Sequence, residues 1–399
     1  MKKFIAILSC IMLSLGSSSY GQAIDLRNYF NNLEELEVSL ITAAPSDLVY
    51  GTWGHSALRL RSINGTSRQD LVINYGMFDY QTEHFVSKFI RGVLPYSLGI
   101  EPFDAFMINY LQRDQQLIEQ VLNLSIAKKD TLLVLINTNL LPENRVYRYD
   151  HFKDNCATRI RDLIESCYPD SLLYPWGMSN EVAYSEESFV DLIEPFVRRK
   201  PWLQFGTDII LGYSASQAAT FRDRMFLPDH MMKAYQKTYI LGEFDNTPLI
   251  KETRILNPGK RLVEASGISG PTVTITLLLI VMLSIFIIEY RYGNWLWGVD
   301  VVWLILTGCI GCLFLFMWIG TTHWSTYANL NMLWANPLAL LGLFALRTSF
   351  ARVLGSALLW SPIFVLLVGL MGWQHMAPMV YLIACINGLR GYRILRFAN

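Results

Sequence analysis

The chain has 399 residues and balances 33 lysines and arginines against 33 aspartates and glutamates, so it carries no net formal charge, while 52% of its residues are hydrophobic. Neutrality argues against nucleic acid as the partner, because such proteins show a basic footprint. The apolar excess is gathered after residue 270, which points to a water-facing portion followed by a membrane portion.

Met1-Lys-Lys, the apolar run from Phe4, and Gly21-Gln-Ala23 have the three parts of a secretory signal peptide, with cleavage expected after Ala23. Cys10 suggests the rival of a lipoprotein signal, but the apolar stretch before it is too short for that. Residues 24–265 read as one exported α+β domain. Leu36–Leu40 alternates and predicts a strand; a second opens at His55 and runs to Leu60; Asn64-Gly65 makes a hairpin-type turn before a third, Leu71–Tyr75. Helices are expected over Glu83–Ile90, Phe103–Leu111 and Lys128–Leu141, with a strand near Leu117–Leu124. Pro169–Gly259 is Pro- and aromatic-rich and carries little pattern.

From residue 271 to 399 the sequence predicts an all-α transmembrane bundle of five helices, drawn from the uncharged runs Thr272–Ile288, Val301–Gly320, Leu330–Leu346, Val353–Trp373 and Ala377–Leu389. The six cations after Pro271 are Arg291, Arg347, Arg352, Arg390, Arg393 and Arg396, and all fall on one side of that arrangement. The positive-inside rule makes that side cytoplasmic, which places the first domain in the periplasm of a bacterial inner-membrane protein, with the C-terminus inside.

Cys156 lies in His151-Phe-Lys-Asp-Asn-Cys-Ala-Thr-Arg-Ile-Arg-Asp162, where Asp154 or Asn155 reads as a helix N-cap and Ile160, Leu163 and Ile164 as the apolar face. A thiol in a first helical turn meets unpaired N–H groups and the positive end of the dipole, both of which favour thiolate. Cys156 and Cys167 sit eleven residues apart on one helix, about 16 Å, and so cannot bridge. Cys167 reads as core. His55, in Tyr50-Gly-Thr-Trp-Gly-His-Ser-Ala-Leu58, is the best base, sharing a strand face with Ala57 and Arg59. Asn74, on the less apolar side of the next strand, or Asp79 could hold the imidazole in the tautomer that accepts a thiol proton. His84 and His151 read as surface or capping residues and His230 as a loop residue. The exported domain has no HExxH or CxxC, and Cys309-x-x-Cys312 lies in a membrane run, so neither a metal nor a cofactor is expected.

The pair Trp53-Gly-His-Ser-Ala-Leu-Arg-Leu60 and Asp154-Asn-Cys-Ala-Thr-Arg159 resembles the permuted, lecithin:retinol-acyltransferase-like branch of the NlpC/P60 papain-like superfamily, in which the His-bearing strand precedes the Cys-bearing helix. The whole chain resembles the DUF4105 family, whose characterised type is the Lnb lipoprotein N-acyltransferase of certain Gram-negative bacteria. Asn74-Tyr-Gly-Met-Phe-Asp79, Phe89-Ile-Arg-Gly-Val-Leu-Pro-Tyr96 and His323-Trp-Ser-Thr-Tyr-Ala-Asn-Leu-Asn-Met-Leu-Trp-Ala-Asn-Pro337 also carry that likeness. The resemblance implies a permuted papain-like core with Cys156 as nucleophile, His55 as base and Asn74 as third polar residue. It also implies acyl transfer from a phospholipid or glyceride ester, through a Cys156 thioester, to the α-amino group of the lipidated N-terminal cysteine of a diacylated lipoprotein. Loop 321–337 is unusually polar and aromatic, and His323, Trp324 and Asn331 are expected to line a lipid entrance, an interfacial aromatic belt being the plainer explanation of its tryptophans. Two other readings share these residues: a membrane-tethered cysteine hydrolase (a cell-wall peptidase or amidase, or a phospholipase), and a non-catalytic lipoprotein-binding module.

Overall fold

The structure is a computed structural model and describes residues 24–48, 51–64, 69–178, 182–261, 270–346, 348 and 350–397. The expected export signal at 1–23, Tyr50, Gly65 of the hairpin turn and Arg347 lie outside the described residues. The three strands expected from alternation are β1 (Leu36–Ala43), β2 (His55–Ser62) and β3 (Asp70–Met77). They pair antiparallel in sequence order. With β4 (Pro95–Pro102), β5 (Leu117–Leu122), β6 (Val146–Arg148) and β7 (Ile250–Asn257) they form a seven-stranded antiparallel sheet in the order β7-β5-β1-β2-β3-β4-β6. The edge strand β7 comes from the stretch in which the sequence shows no pattern. Lys251, Glu252 and Thr253 are exposed in succession and so is Ile255, so no hydrophobic period marks it.

Four helices accompany the sheet: α1 (Phe85–Ile90), α2 (Phe103–Leu111), α3 (Ile126–Leu140) and α4 (Cys156–Cys167). The period of two divides the strand side chains between two cores. Leu58, Leu60, Leu71, Ile73 and Tyr75 face one side and pack with Leu132, Leu133 and Ile136 of α3 and Ile160, Leu163 and Ile164 of α4. Ile41, Ala57 and Val72 face the other, under Phe106 and Tyr110 of α2. Arg59 shares that second face, where its guanidinium meets Asp70 at 2.6 Å and Glu119 at 3.0 Å beneath the Phe103 ring. A buried arginine is tolerable there because both carboxylates neutralise it. Further on, α5 (Phe189–Val197) and α6 (Pro201–Ile210) carry the chain toward the membrane portion. His230 lies in the helix Pro228–Tyr235, which starts with Pro at its first position, and not in a loop.

The helical region holds α7 (Gly270–Tyr292), α8 (Trp297–Ile319), α9 (Leu338–Ala345), α10 (Ala351–Leu370) and α11 (Pro378–Phe397). Three of these, α7, α8 and α10, are long and apolar enough to cross a membrane. The expected third span, Leu330–Leu346, is corrected: it divides into a 3₁₀ turn at Leu330–Leu333 and the eight-residue α9. Asn331 ties the first piece to Ile209, and Pro337 forces a new helix start, so the uncharged run never becomes one rod. At 1.5 Å per residue α9 rises about 12 Å, well short of a bilayer core. The expected fifth span is also longer than its uncharged run, since α11 continues through Arg390, Arg393 and Arg396. Where α10 and α11 cross, a Cβ at Gly391 would collide with the backbone of Leu359 and Gly355, so only glycine permits that approach.

Arg390 is fully buried and pairs with Glu289 of α7 at 2.8 Å and Asp300 of α8 at 2.7 Å. It therefore belongs to the packing of three helices and does not stand in a loop. Arg390→Met leaves buried Asp300 without a counter-charge and Glu289 with only Arg393, at 3.4 Å, and should cost about 3–5 kcal/mol, whereas Arg396→Met at an exposed site should change stability by about 0.5 kcal/mol or less. Thermal unfolding of the detergent-solubilised full chain compares the two; equal midpoints for both variants would refute this role for Arg390.

Candidate active site

Asn155 is the N-cap of α4, and its side-chain oxygen accepts from the N–H groups of Ala157 and Thr158, both at 2.9 Å. The Thr158 hydroxyl in turn accepts from the Asn155 N–H at 2.7 Å, completing a capping box. This fixes Cys156 as the first residue of the helix, as its sequence setting predicts. The cap is itself buried, and its amide donates to the carbonyls of His151 and Phe226.

His55 opens β2 beside this helix start, and its Nε2 lies 2.7 Å from Asn74 Oδ1. Asn74 Nδ2 in turn donates to Glu101 Oε1 at 3.0 Å. The chain of donors has one consistent direction. A carboxylate only accepts, so Asn74 must turn its NH₂ to Glu101 and its oxygen to the imidazole. His55 must then carry its proton on Nε2, which leaves Nδ1 bare on the side of Cys156. That is the tautomer able to take a thiol proton.

The sulfur has three polar neighbours: the His55 imidazole, the Ser56 N–H and the Tyr149 hydroxyl. Burial alone pushes the Cys156 thiol up, but the charge and hydrogen bond of His55, with the Ser56 N–H and Tyr149, outweigh it and hold the thiol below its ordinary value. Burial pulls His55 down, and Cys156, Asn74 and Glu101 more than restore it, so the imidazole ends above its usual value. Both changes favour a thiolate and imidazolium pair. Tyr149, half-buried and next to that sulfur, is held well above the ordinary phenol range by desolvation and by the charge of Cys156, and so keeps its proton to donate. Cys167 lacks such company, and burial pushes it up to about 11. Cys156 is nearly closed off at 4% exposure, while His55 remains partly open to solvent.

Gly76 explains how Tyr149 comes so near. Its φ is +88°, the pairing of β3 with β4 slips between Asn74 and Met77 at this point, and a Cβ there would lie 3.1 Å from the Tyr149 ring. Asp79, the other candidate for the third residue, is exposed and caps a turn at Gln81, away from the imidazole.

The expected substrate residues divide. Loop 321–337 does fold onto the exported domain: His323 Nε2 lies 3.1 Å from the Ile90 carbonyl, and Trp324 Nε1 donates to Asp150 Oδ1 at 3.1 Å. Asp150 Oδ1 also accepts from the N–H groups of Phe152 and Lys153, so Trp324 braces the turn that leads into Cys156. Asn331 is corrected. It is fully buried, its NH₂ donates to Ile209 and its oxygen accepts from Trp334 Nε1, so it packs the loop and presents no atom to an open surface. Glu101 and Tyr149 escape sequence reasoning: Glu101 is the single acid of Pro95–Pro102, a stretch with no strand signal of its own, and Tyr149 comes near the sulfur through the kink at Gly76. Among the described residues no group of three or more His, Cys, Asp or Glu is placed to hold a metal ion.

The proton affinities of the two thiols fix the expected pH behaviour of alkylation. Cys156 should react at pH 7 and keep its rate as pH falls below the ordinary thiol range, slowing only once its lowered value is crossed. Cys167 at pH 7 should hold only about one thiolate in 10⁴ and stay unlabelled. His55→Ala and, more weakly, Glu101→Gln should move the Cys156 profile to higher pH, with the rate at fixed pH falling about tenfold for every pH unit the profile moves. Mass-spectrometric alkylation of the intact chain reads all three; equal labelling of both thiols would refute the pair.

A search of curated proteins and a search of solved structures each found no match. Two family models do match, one described as the Lnb N-terminal periplasmic domain over residues 26–182 and the other as the Lnb transmembrane domain over residues 263–398. The first covers six strands of the sheet together with Cys156, His55, Asn74 and Glu101, and the second covers α7 to α11. Taken together, in this order along one chain, the two matches support an Lnb-type family and a membrane protein whose N-terminal domain is periplasmic.

Proposed function

We propose that this protein is a cysteine-dependent acyltransferase that moves a fatty acyl group from a membrane lipid ester to the α-amino group of the lipidated N-terminal cysteine of a diacylated lipoprotein. The observation that carries the proposal is the directed row Glu101, Asn74, His55, Cys156, held at the part of the periplasmic domain that Trp324 of the membrane portion braces. The order of a His-bearing strand before a Cys-bearing helix agrees with the permuted NlpC/P60-like likeness of the sequence and with the DUF4105 family.

In the first half-reaction the Cys156 thiolate attacks the ester carbonyl, and His55, now protonated, gives its proton to the departing alcohol as the carbon–oxygen bond breaks. A thioester on Cys156 remains. In the second, the amine attacks that thioester, His55 takes the amine proton, and the thiolate leaves as the amide forms. Asn155 already occupies the N–H groups of Ala157 and Thr158, so the Cys156 N–H is the first-turn donor for the developing oxyanion, with the Tyr149 hydroxyl beside the sulfur as the second. Near-complete burial of the sulfur favours transfer over hydrolysis, because water must be kept from the thioester. Two substrates anchored in one leaflet meet at high effective concentration, which gives the membrane portion a part in rate as well as in anchorage. In this reading the protein resides in the inner membrane with its C-terminus in the cytoplasm.

Mass spectrometry of lipoprotein N-termini tests the proposal in cells that rely on this protein. With Cys156→Ala the N-terminal cysteines should carry the two glyceride acyl chains and a free amine; N-acylation at the level of the unaltered protein would refute it. In vesicles, deacylated donor lipid formed without N-acylated lipopeptide would favour the cysteine-hydrolase alternative, and neither product would favour a lipoprotein-binding module.

A further inference from the structure

Helix α1 lies on the surface of the exported domain, and none of its residues is buried. Val86, Phe89 and Ile90 expose 66%, 44% and 40% of their surface. Single apolar side chains on a surface are ordinary, but three on six residues form a patch that water disfavours. Contacts with the membrane portion fix where this patch sits. Thr322 lies three residues beyond the end of α8; its N–H donates to the Arg91 carbonyl at 3.0 Å and its hydroxyl to the Gly92 carbonyl at 2.9 Å. The bond from His323 to Ile90 lies alongside. The last turn of α8 exposes Phe316 and Ile319, by 41% and 72%, as a lipid-facing surface would. The C-terminal end of α1 is thus within hydrogen-bond reach of the segment by which α8 leaves the bilayer. Lys88 and Arg91 flank the apolar side chains, the arrangement of a helix lying among headgroups.

A row of rings leads inward from this helix. Phe89 stacks on Phe85 with centroids 6.3 Å apart, Phe85 lies 5.9 Å from Phe78, Phe78 lies 5.3 Å from Tyr96, and Tyr96 stacks on Tyr149 at 4.5 Å. Tyr149 is the residue whose hydroxyl meets the Cys156 sulfur.

We propose that the exposed face of α1 is immersed in the outer leaflet of the membrane, against phospholipid acyl chains, and that the ring row from Phe89 to Tyr149 is the surface along which a donor lipid's acyl chain reaches Cys156. The immersion of α1 stands on its own geometry; the route rests on the function proposed above.

The test uses the full chain in vesicles of phosphatidylethanolamine and phosphatidylglycerol, with the photoreactive residue p-benzoylphenylalanine placed singly at position 86, 89 or 78. A control carries it at position 63, where Ile63 is 51% exposed beyond the end of β2 opposite to His55. After irradiation, phospholipid adducts identified by mass should be at least about fivefold more abundant at 86 and 89 than at 63, as expected of a side chain in the hydrocarbon boundary rather than in water. Adducts at 86 and 89 no more abundant than at 63, or crosslinks to a second copy of the chain in their place, would overturn the immersion of α1. Adducts at 86 and 89 without any at 78 would overturn the route. Crosslinking needs no turnover, so it is repeated with Cys156→Ala: adducts that persist while N-acylation proves independent of Cys156 would refute the proposed activity and leave the immersed helix standing. In the active protein, Val86→Ser with Phe89→Ser and Ile90→Ser should cut acyl transfer about tenfold while Cys156 alkylation, which reports an intact site, stays unchanged; transfer at the unaltered rate would overturn the route.

Discussion

A carboxylate that can only accept hydrogen bonds sets the state of this site from about two side chains away. Glu101 accepts from the Asn74 amide, which turns the amide oxygen to His55, which in turn places the imidazole proton on Nε2 and leaves Nδ1 toward Cys156. Each member is mute about polarity by itself: an amide can flip and an imidazole can change tautomer. The row removes both freedoms without any group needing an unusual geometry. The sheet makes this possible, because His55, Asn74 and Glu101 occupy three successive antiparallel strands on one face.

The helix start supplies the complementary half. Asn155 uses its oxygen for two N–H groups of α4 and its amide for the neighbouring His151 carbonyl and the distant Phe226 carbonyl, so the rest of the fold holds the cap as the cap holds the helix. The sulfur is thereby delivered to one place, and its lowered proton affinity follows from what surrounds it there. Cys167, on the same helix and equally sequestered, shows the outcome of burial without partners.

Much of this was legible in the sequence because it rests on local rules. Alternation marked β1 to β3, the polar residues before Cys156 marked the helix start, and a face argument on two strands paired His55 with Asn74. What stayed hidden depends on contacts that no local pattern encodes. Glu101 owes its role to the pairing of β3 with β4, and Tyr149 to the positive φ of Gly76. The run Leu330–Leu346 misled for the opposite reason: uncharged composition is necessary for a span, yet Asn331 and Pro337 had tertiary and backbone duties that cut it in two. Asn331 read as a ligand-facing residue since a buried amide serving two backbone and ring partners looks, in sequence, like any polar residue near a membrane.

The Arg390 cluster bears on how the molecule is made. Its acids come early, on α7 and α8, and its cation comes last, 101 residues after Glu289 and 90 after Asp300. During synthesis the first helix pair must therefore retain hydrated carboxylates, and those charges can be withdrawn from water only when the final helix emerges. Completion of the chain is in this way coupled to closure of the bundle, and a polypeptide truncated before residue 390 would be held open by the very groups that lock the finished one.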